Sequence, residues 1–432
     1  MAENTKEQIS SHKGEAFKAR SESIESLTVL KFGGSSVKNI GRIDHVCGII
    51  AERAKSGPLL VVVSAMGDTT DYLIKLAKQC AKNPDRRELD SLMSTGEQIS
   101  ITLLAMTLKE MGVRVRSLTG AQVGIFTESV HSQARIVDIK KDRLVEALKD
   151  NDVLVVAGFQ GVTPTGDITT LGRGGSDTTA VALAAASGAA VCDIYTDVNG
   201  IYTADPNVVK DASLLKRISY DELVEMARLG AQVMHPRAVE LARIFNVKLR
   251  VRNTFNPENE GTIIDGGDDV EVYRTVNGIA IDKDQASVAI TDVPDKPGVA
   301  GEIMTRLADA GIVVDMIMQA SYVTNGFNSI TFTVGSADLE QTLTILNEMK
   351  AKLGAKEVLS DGDIAKVSVI GAGIATRPKI ASTVFTTLGK NSINIKMIAS
   401  SEKKLTVVVG RAEAEKAALL LHEAFELSQI TS

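Results

Sequence analysis

Five short segments carry residue types that bind phosphates and small charged molecules. Lys31-Phe32-Gly33-Gly34-Ser35-Ser36 follows an apolar run, so a strand delivers a lysine to a glycine turn. Paired glycines leave backbone N–H groups open to phosphate oxygens, the serines add hydroxyls and the lysine adds charge. The same residues also suit an ordinary strand-to-helix turn. No GxxxxGK[ST] loop occurs in the chain, so this is not a Walker-type site. Residues 169–179, TTLGRGGSDTT, run into an alanine-rich helical pattern. Gly172, Gly174 and Gly175 let the chain fold tightly against a ligand, and Ser176 or Asp177 is expected to cap the helix. Arg173 opposes the helix dipole, so an anion offsets it, either a ligand carboxylate or phosphate or a surface ion-pair partner. SAMGDTTD, residues 64–71, offers Ser64, Thr69 and Thr70. STGEQ, residues 94–98, sets Glu97 at a helix start, where the dipole alone would favour it. One arginine, two carboxylates and several hydroxyls can hold a zwitterion. Arg173 would take an α-carboxylate, and Glu97 and Asp177 would share the ammonium. TDVNGIYTADP, residues 196–206, has hydroxyls and Asp197 for a ribose or adenine edge and Tyr202 for stacking. Asn199-Gly200 is a turn signal in its own right.

These segments need a scaffold that puts loops side by side. Buried, β-branched strand patterns fall at residues 27–31, 59–63, 153–157, 193–196 and 247–251. Helical patterns lie between them at 42–54, 96–111, 178–187 and 220–245. Strands apolar on both faces and alternating with helices predict a mostly parallel sheet covered on both sides. Each strand exits into a glycine- or hydroxyl-rich turn, and ligands bind at such carboxyl ends.

The chain then breaks at NPENEGTIIDGGDD, residues 256–269, and repeats itself. A shift of 81 residues aligns Ser287-Val288 with Ser368-Val369, Pro297 with Pro378, Leu307 with Leu388 and Met316-Ile317 with Met397-Ile398. Each copy reads strand–helix–strand–strand–helix. The first adds a strand at 357–359, whereas the second ends without its last strand. Residues 276–281, VNGIAI, are left over before the first copy and are expected to fill that place, so the modules interlock. Five segments follow: a mobile tail at 1–26, a catalytic domain at 27–265, a linker plus donated strand at 266–285, and modules at 286–360 and 361–432.

Composition excludes several classes. The 432 residues are 44% apolar and 24% charged, with net charge −6 and no long basic run, which disfavours nucleic acid or an anionic membrane as partner. No apolar run reaches the roughly 18 residues of a membrane span. Cys47, Cys80 and Cys192 form no framework, which fits a reducing cytoplasm and buried structural thiols. VIGAGIA, residues 369–375, lacks the third glycine of a dinucleotide loop and sits inside the repeat, which disfavours a dehydrogenase. His235 is expected to be structural.

KFGGSSV, SAMGDTTD, STGEQ, TTLGRGGSDTTA, YTDVNGIYTADP and ARLGAQVMHPRAVE occur in this order, and together they resemble the aspartate kinases of the amino-acid-kinase superfamily. The duplicated tail, with Asp295-Lys296-Pro297-Gly298, resembles that family's paired ACT regulatory domains. The resemblance covers roughly residues 27 to 430. It implies a three-layer αβα kinase domain with a mainly parallel sheet, followed by two interlocked ferredoxin-like ACT α+β modules. It implies transfer of the ATP γ-phosphate, with Mg²⁺ held by ATP and no protein metal ligand, to the side-chain carboxylate of L-aspartate. Lys31 would bridge the transferring group, with Asp177 beside it. Ser64, Thr70, Glu97, Arg173, Gly174, Gly175 and Ser176 would hold the acceptor. Lys31, Phe32, Gly33, Gly34, Ser35, Thr196, Asp197, Tyr202, Ala204, Asp205, Asn207, Gln232 and Val233 would hold ATP. Asn207 and Gln232 stand where relatives have basic residues, which removes up to two positive contacts to the nucleotide. The tail implies feedback by lysine and/or threonine through Asp295, Val314, Asp315, Gln319, Ile380, Ala381, Asn394, Ile395, Ser401 and Glu402. Arg377-Pro378-Lys379 replaces KPG in the second copy, so its effector loop is expected to be degenerate. A homo-oligomer paired through the ACT modules is implied too. No methionine lies between Met234 and Met304, so an AUG start for a shorter regulatory chain is excluded there. A kinase of the same superfamily with another acceptor, and a non-catalytic amino-acid sensor, are the competing readings.

Overall fold

A computed structural model describes residues 27–229, 233–266, 275–319 and 326–429. The expectations for the 1–26 tail and for Gln232 lie outside the described residues. The first half is built on an eight-stranded sheet. Its spatial order is Arg217–Ser219, Thr262–Asp265, Leu249–Asn253, Val191–Thr196, Thr28–Phe32, Leu59–Val63, Val153–Ala157 and Val115–Leu118. From Leu249–Asn253 onward every pairing is parallel, and only Thr262–Asp265 runs against its Leu249–Asn253 neighbour. Leu59–Val63 and Val153–Ala157 are buried at every residue. Valine- and leucine-rich strands of this kind are stable only with helices on both faces, and two apolar cores flank the sheet accordingly.

Several helices begin where backbone chemistry dictates. Helix Ile40–Ala54 starts behind Asn39, whose side chain accepts from the Arg42 N–H. Helix Gly175–Ser187 starts three residues earlier than the periodicity suggests. Its N-cap is Gly174 at φ 70°, with no side-chain cap, so Asp177 lies in the first turn instead of capping it. The pattern at 220–245 is two helices, Tyr220–Arg228 and Pro236–Phe245. Pro236 forces His235 into extended backbone and opens the second helix. A four-stranded sheet of short strands, Ile136–Ile139, Ile125–Thr127, Gln160–Val162 and Ile168–Thr170, was not foreseen.

The repeats do not form two beads. One six-stranded antiparallel sheet runs Val314–Gln319, Phe327–Gly335, Gly278–Pro294, Glu357–Ile370, Lys404–Gly410, Met397–Ser400. The 276–281 segment does pair with the second copy, Gly278 to Asp282 lying against Ile370 to Lys366. The same strand then continues as the first strand of the first copy, Gln285 to Thr291 lying against Ile364 to Glu357. The boundaries placed at 285/286 and 360/361 therefore fall inside continuous strands. Helices cover one face of this sheet.

The other face meets the first half of the chain. Ala280 and Ile370 join the core that contains helix Tyr220–Arg228. Lys404 pairs with Glu225 at 2.8 Å, and Asn277 donates to Glu222 at 2.7 Å.

Candidate functional site

Thr28–Phe32 lies between Leu59–Val63 and Val191–Thr196 in register, so the loops leaving these three strands emerge side by side. Lys31 Nζ lies 2.6 Å from Asp177 Oδ1. A Cβ on Gly33 would stand 3.4 Å from that ammonium, which therefore hangs over the glycine turn. A Cβ on Gly34 would come within 2.9 Å of the Ala65 carbonyl, so glycine is required for the two loops to close on each other.

A cavity of 230 Å³ opens here, and its lining includes Lys31, Gly34, Ser64, Thr70, Glu97, Arg173, Gly174, Gly175, Ser176 and Asp177. Every expected acceptor residue is thus brought to one place. Ala65, Gly67, Phe159 and Gly172 complete the wall. Phe159 at φ 68° sits in the GFQG turn after Val153–Ala157, a strand-exit signal that sequence reasoning noted without using. Arg173 is exposed and has no hydrogen-bond or ion-pair partner among the described residues.

Glu97 is 2% exposed. One oxygen accepts from the Ala65 N–H at 3.2 Å, and the other has no hydrogen-bond partner. Burial pushes its carboxyl up to about 8, with the backbone bonds pulling weakly the other way. His235 accepts from the Arg237 N–H through Nδ1 and so caps its own helix, the expected structural role. It also abuts the acceptor loop, since a Cβ on Gly174 would fall 2.2 Å from the His235 Cβ. Burial holds its imidazole below the ordinary value, against the pull of Asp177.

A second cavity, of 880 Å³, is lined by Thr196, Asp197, Tyr202, Ala204, Asp205, Asn207 and Val233. The expected nucleotide residues outside the glycine turn thus meet here, Gln232 excepted. Asn207 is turned inward on its own loop, donating to Asp205 Oδ1 at 3.0 Å. The Phe32 side chain is fully buried and stacked on Tyr195 at 4.7 Å, which leaves its backbone to face the glycine turn. Sequence reasoning missed the far wall, which is the regulatory strand at residues 279–284 together with Ala418. Ile279 N–H donates to Thr203 O at 2.7 Å, and Thr203 Oγ1 lies 2.9 Å from His422 Nε2, so the 196–206 loop is stitched to strand Gly278–Pro294 and to helix Ala414–Ala424.

The expected effector residues do not converge within one chain. Asp295 and Gln319 line a 360 Å³ cavity at the start of helix Val299–Asp309. Ile380 lines another cleft, with Arg377 and Thr275, and Ala381, Asn394, Ile395, Ser401 and Glu402 line neither. Val314 packs into the first module's core. Asp315 and Gln319 are four apart and would share a face in a regular strand. A bulge between Asp315 and Met318, with Met316 at φ 43°, adds one residue and reverses the alternation. Asp315 accordingly faces the other way and pairs with the buried Lys366 at 2.6 Å.

The mainly parallel sheet and its loops are thus stitched to the six-stranded antiparallel sheet. Residues 26–253 match the model of the amino acid kinase family, and residues 287–349 and 367–425 match that of the ACT domain. The chain belongs to the amino acid kinase family. It is 47% identical over 405 residues to the aspartokinase of Geobacillus stearothermophilus, across 93% of this chain and 98% of that protein. It is 44% identical over 406 residues to that of Thermus thermophilus, across 94% and 100%. The structure of E. coli aspartokinase III with aspartate and ADP aligns at TM-score 0.78 and 26% identity, across 92% of this chain and 99% of that one. Within the family its kin are aspartokinases, and the chain is an ATP-dependent kinase of that group.

Proposed function

We propose that the chain transfers the γ-phosphate of ATP to the side-chain carboxylate of L-aspartate, giving 4-phospho-L-aspartate and ADP. The observation that carries this reading is the convergence of Lys31, Asp177, Arg173 and Glu97 on one 230 Å³ cavity beside the glycine turn. Arg173, lacking a protein partner, takes the α-carboxylate. The unpartnered Glu97 oxygen takes the ammonium. The side chain is then directed toward Lys31. Its carboxylate, with a pKa of about 3.9, is ionised at neutral pH, so no general base is required. A carboxylate oxygen bonds to the γ-phosphorus as the bond to the ADP oxygen breaks, and no proton moves. Alignment and charge neutralisation are the remaining tasks. Lys31 supplies a cation fixed by Asp177, and the Gly33-Gly34 turn supplies backbone N–H groups. Mg²⁺ accompanies the triphosphate and adds charge neutralisation, while the cleft carboxylates serve an ammonium and an amide.

E. coli aspartokinase III has been captured with lysine and aspartate in a T-state, at TM-score 0.73 and 26% identity. By extension, lysine, alone or with threonine, controls this chain through the Asp295–Gln319 cavity. Chains associate through the regulatory sheet, whose Val314–Gln319 edge has no outer strand neighbour among the described residues, with Val313, 76% exposed, just before it and Ile317, 56% exposed, within it. ADP release is measured with aspartate, glutamate or no acceptor, with lysine and threonine titrated separately and together. Only aspartate should give turnover, and Lys31→Ala should lower it on the order of 10²–10³-fold. Near-normal turnover in Lys31→Ala refutes the mechanism, and an unchanged rate on titration removes the effectors.

A further inference from the structure

Asp90 lies outside the acceptor cavity, on helix Arg86–Met93, and is fully buried. A buried carboxylate is costly unless hydrogen bonds saturate it. Here five donor groups surround it. Oδ2 accepts from the backbone N–H of Ser132 at 2.9 Å and of Thr170 at 3.0 Å, and lies 3.1 Å from His131 Nδ1. Oδ1 accepts from Thr170 Oγ1 at 2.7 Å and Ser132 Oγ at 3.3 Å.

The segments joined in this way are those that deliver the two arms of the acceptor site. Thr170 ends its short strand three residues before Arg173. Helix Arg86–Met93 passes through Ser94 into helix Thr95–Glu110, which carries Glu97 in its first turn. Neighbouring bonds brace the same junction. Gln160 Nε2 donates to Ser94 O at 3.0 Å, and Ala134 N–H donates to Thr170 O at 3.0 Å. Arg237 donates to Leu171 O at 2.8 Å and to Ala134 O at 2.9 Å. Gly172, at φ 77°, sits on this brace, since a Cβ there would stand 3.1 Å from Ser132 O.

We propose that Asp90 is a positioning residue for the amino-acid acceptor: its carboxylate fixes the spacing between the Arg173 arm and the Glu97 arm. The proposal rests on the acceptor assignment of those two residues given above. Both arms grip groups on the same α-carbon, so a small change in their separation weakens both contacts together. The nucleotide loop lies on other strands and is untouched.

The test is steady-state kinetics of Asp90→Ala, Asp90→Asn, Thr170→Val and Arg173→Ala, with aspartate and ATP varied in turn. Asp90→Ala should raise the aspartate KM on the order of 10²-fold, the scale of an ångström-sized misplacement. The KM for ATP should stay within about twofold, a split that general destabilisation would not give. Asp90→Asn should recover to within about tenfold of the parent, because its amide oxygen can serve the backbone N–H groups while its NH₂ donates to the reorientable hydroxyls. Thr170→Val, which keeps the backbone bond and loses the 2.7 Å one, should raise the aspartate KM several-fold and decides the matter if Asp90→Ala does not fold. An unchanged aspartate KM in folded Asp90→Ala or in Thr170→Val, a parallel rise in both KM values, or no recovery in Asp90→Asn overturns the proposal. If Arg173→Ala raises the aspartate KM while the Asp90 and Thr170 variants do not, the acceptor site stands and only this inference falls. If Arg173→Ala changes nothing, the acceptor assignment falls and takes the inference with it.

Discussion

On the proposed acceptor assignment, Glu97 gives aspartate binding a pH dependence whose size follows from its burial. Its carboxyl titrates at about 8 instead of 4.5 because it is desolvated, and its free oxygen points to no protein donor. Without ligand at pH 7 it is about nine-tenths protonated, and an arriving ammonium demands the carboxylate. Ionising it at pH 6, two units below its pKa, costs about 2.7 kcal/mol, or ~100-fold in affinity. The aspartate Kd should therefore rise about fivefold from pH 8 to 7 and about ninefold from pH 7 to 6, and level off above the pKa. About 0.9 proton should leave on binding at pH 7. Isothermal titration calorimetry in two buffers of different ionisation enthalpy reads both quantities, and Glu97→Gln should flatten the profile. The sign for folding follows from the same shift. A raised carboxyl pKa means that the folded state holds the proton more tightly. Its stabilising contribution is complete below 4.5 and is lost as pH rises through about 8. A pH-independent Kd between 6 and 8, or a Glu97→Gln protein keeping the parental slope, would refute the reasoning.

Two further perturbations probe the scaffold. Asp193 is fully buried and meets Arg53 at 3.0 Å, Arg250 at 2.8 Å and Arg252 at 4.0 Å. Asp193→Ala strands the Arg53 and Arg250 guanidinium groups, Arg252 keeping its bond to Pro257 O, and should cost about 3–5 kcal/mol, read as a drop of roughly 10 °C in melting temperature, whereas an unchanged melting temperature contradicts this. Gly174→Ala places a methyl 2.2 Å from the His235 Cβ in a left-handed conformation, so aspartate affinity should collapse. His235→Gly in the same chain removes the colliding atom and should restore part of it, and no recovery would place the damage elsewhere.

What the sequence made legible is what local sequence determines. The loops at 31–36, 64–71 and 196–206 emerge at one edge because each follows a strand of the parallel sheet, whereas 94–98 joins two helices and 171–175 leaves a strand of the small sheet. Long-range features were hidden. The module boundaries placed at 285/286 and 360/361 fall beside polar runs, yet the backbone passes through both as continuous strand. The bulge at Met316 is invisible to alternation because its positive φ falls on a residue that carries no turn signal. Apolar periodicity runs on past Arg228 and hid the end of the first helix, whereas Pro236 marks the start of the second. Asp90 gave no sign, since its partners lie 41, 42 and 80 residues away.

Strands Gly278–Pro294 and Glu357–Ile370 each belong to both repeats, and this bears on how the chain can be divided. Fission near residue 266 would release a piece holding all six strands of the antiparallel sheet. Fission between the copies, at 360/361, would cut residues 357–360, the partners of Val288–Thr291, from the rest of their strand. Shuffling, duplication or loss during evolution should therefore treat the two copies as one heritable part, and a protease nick at that junction should release both together.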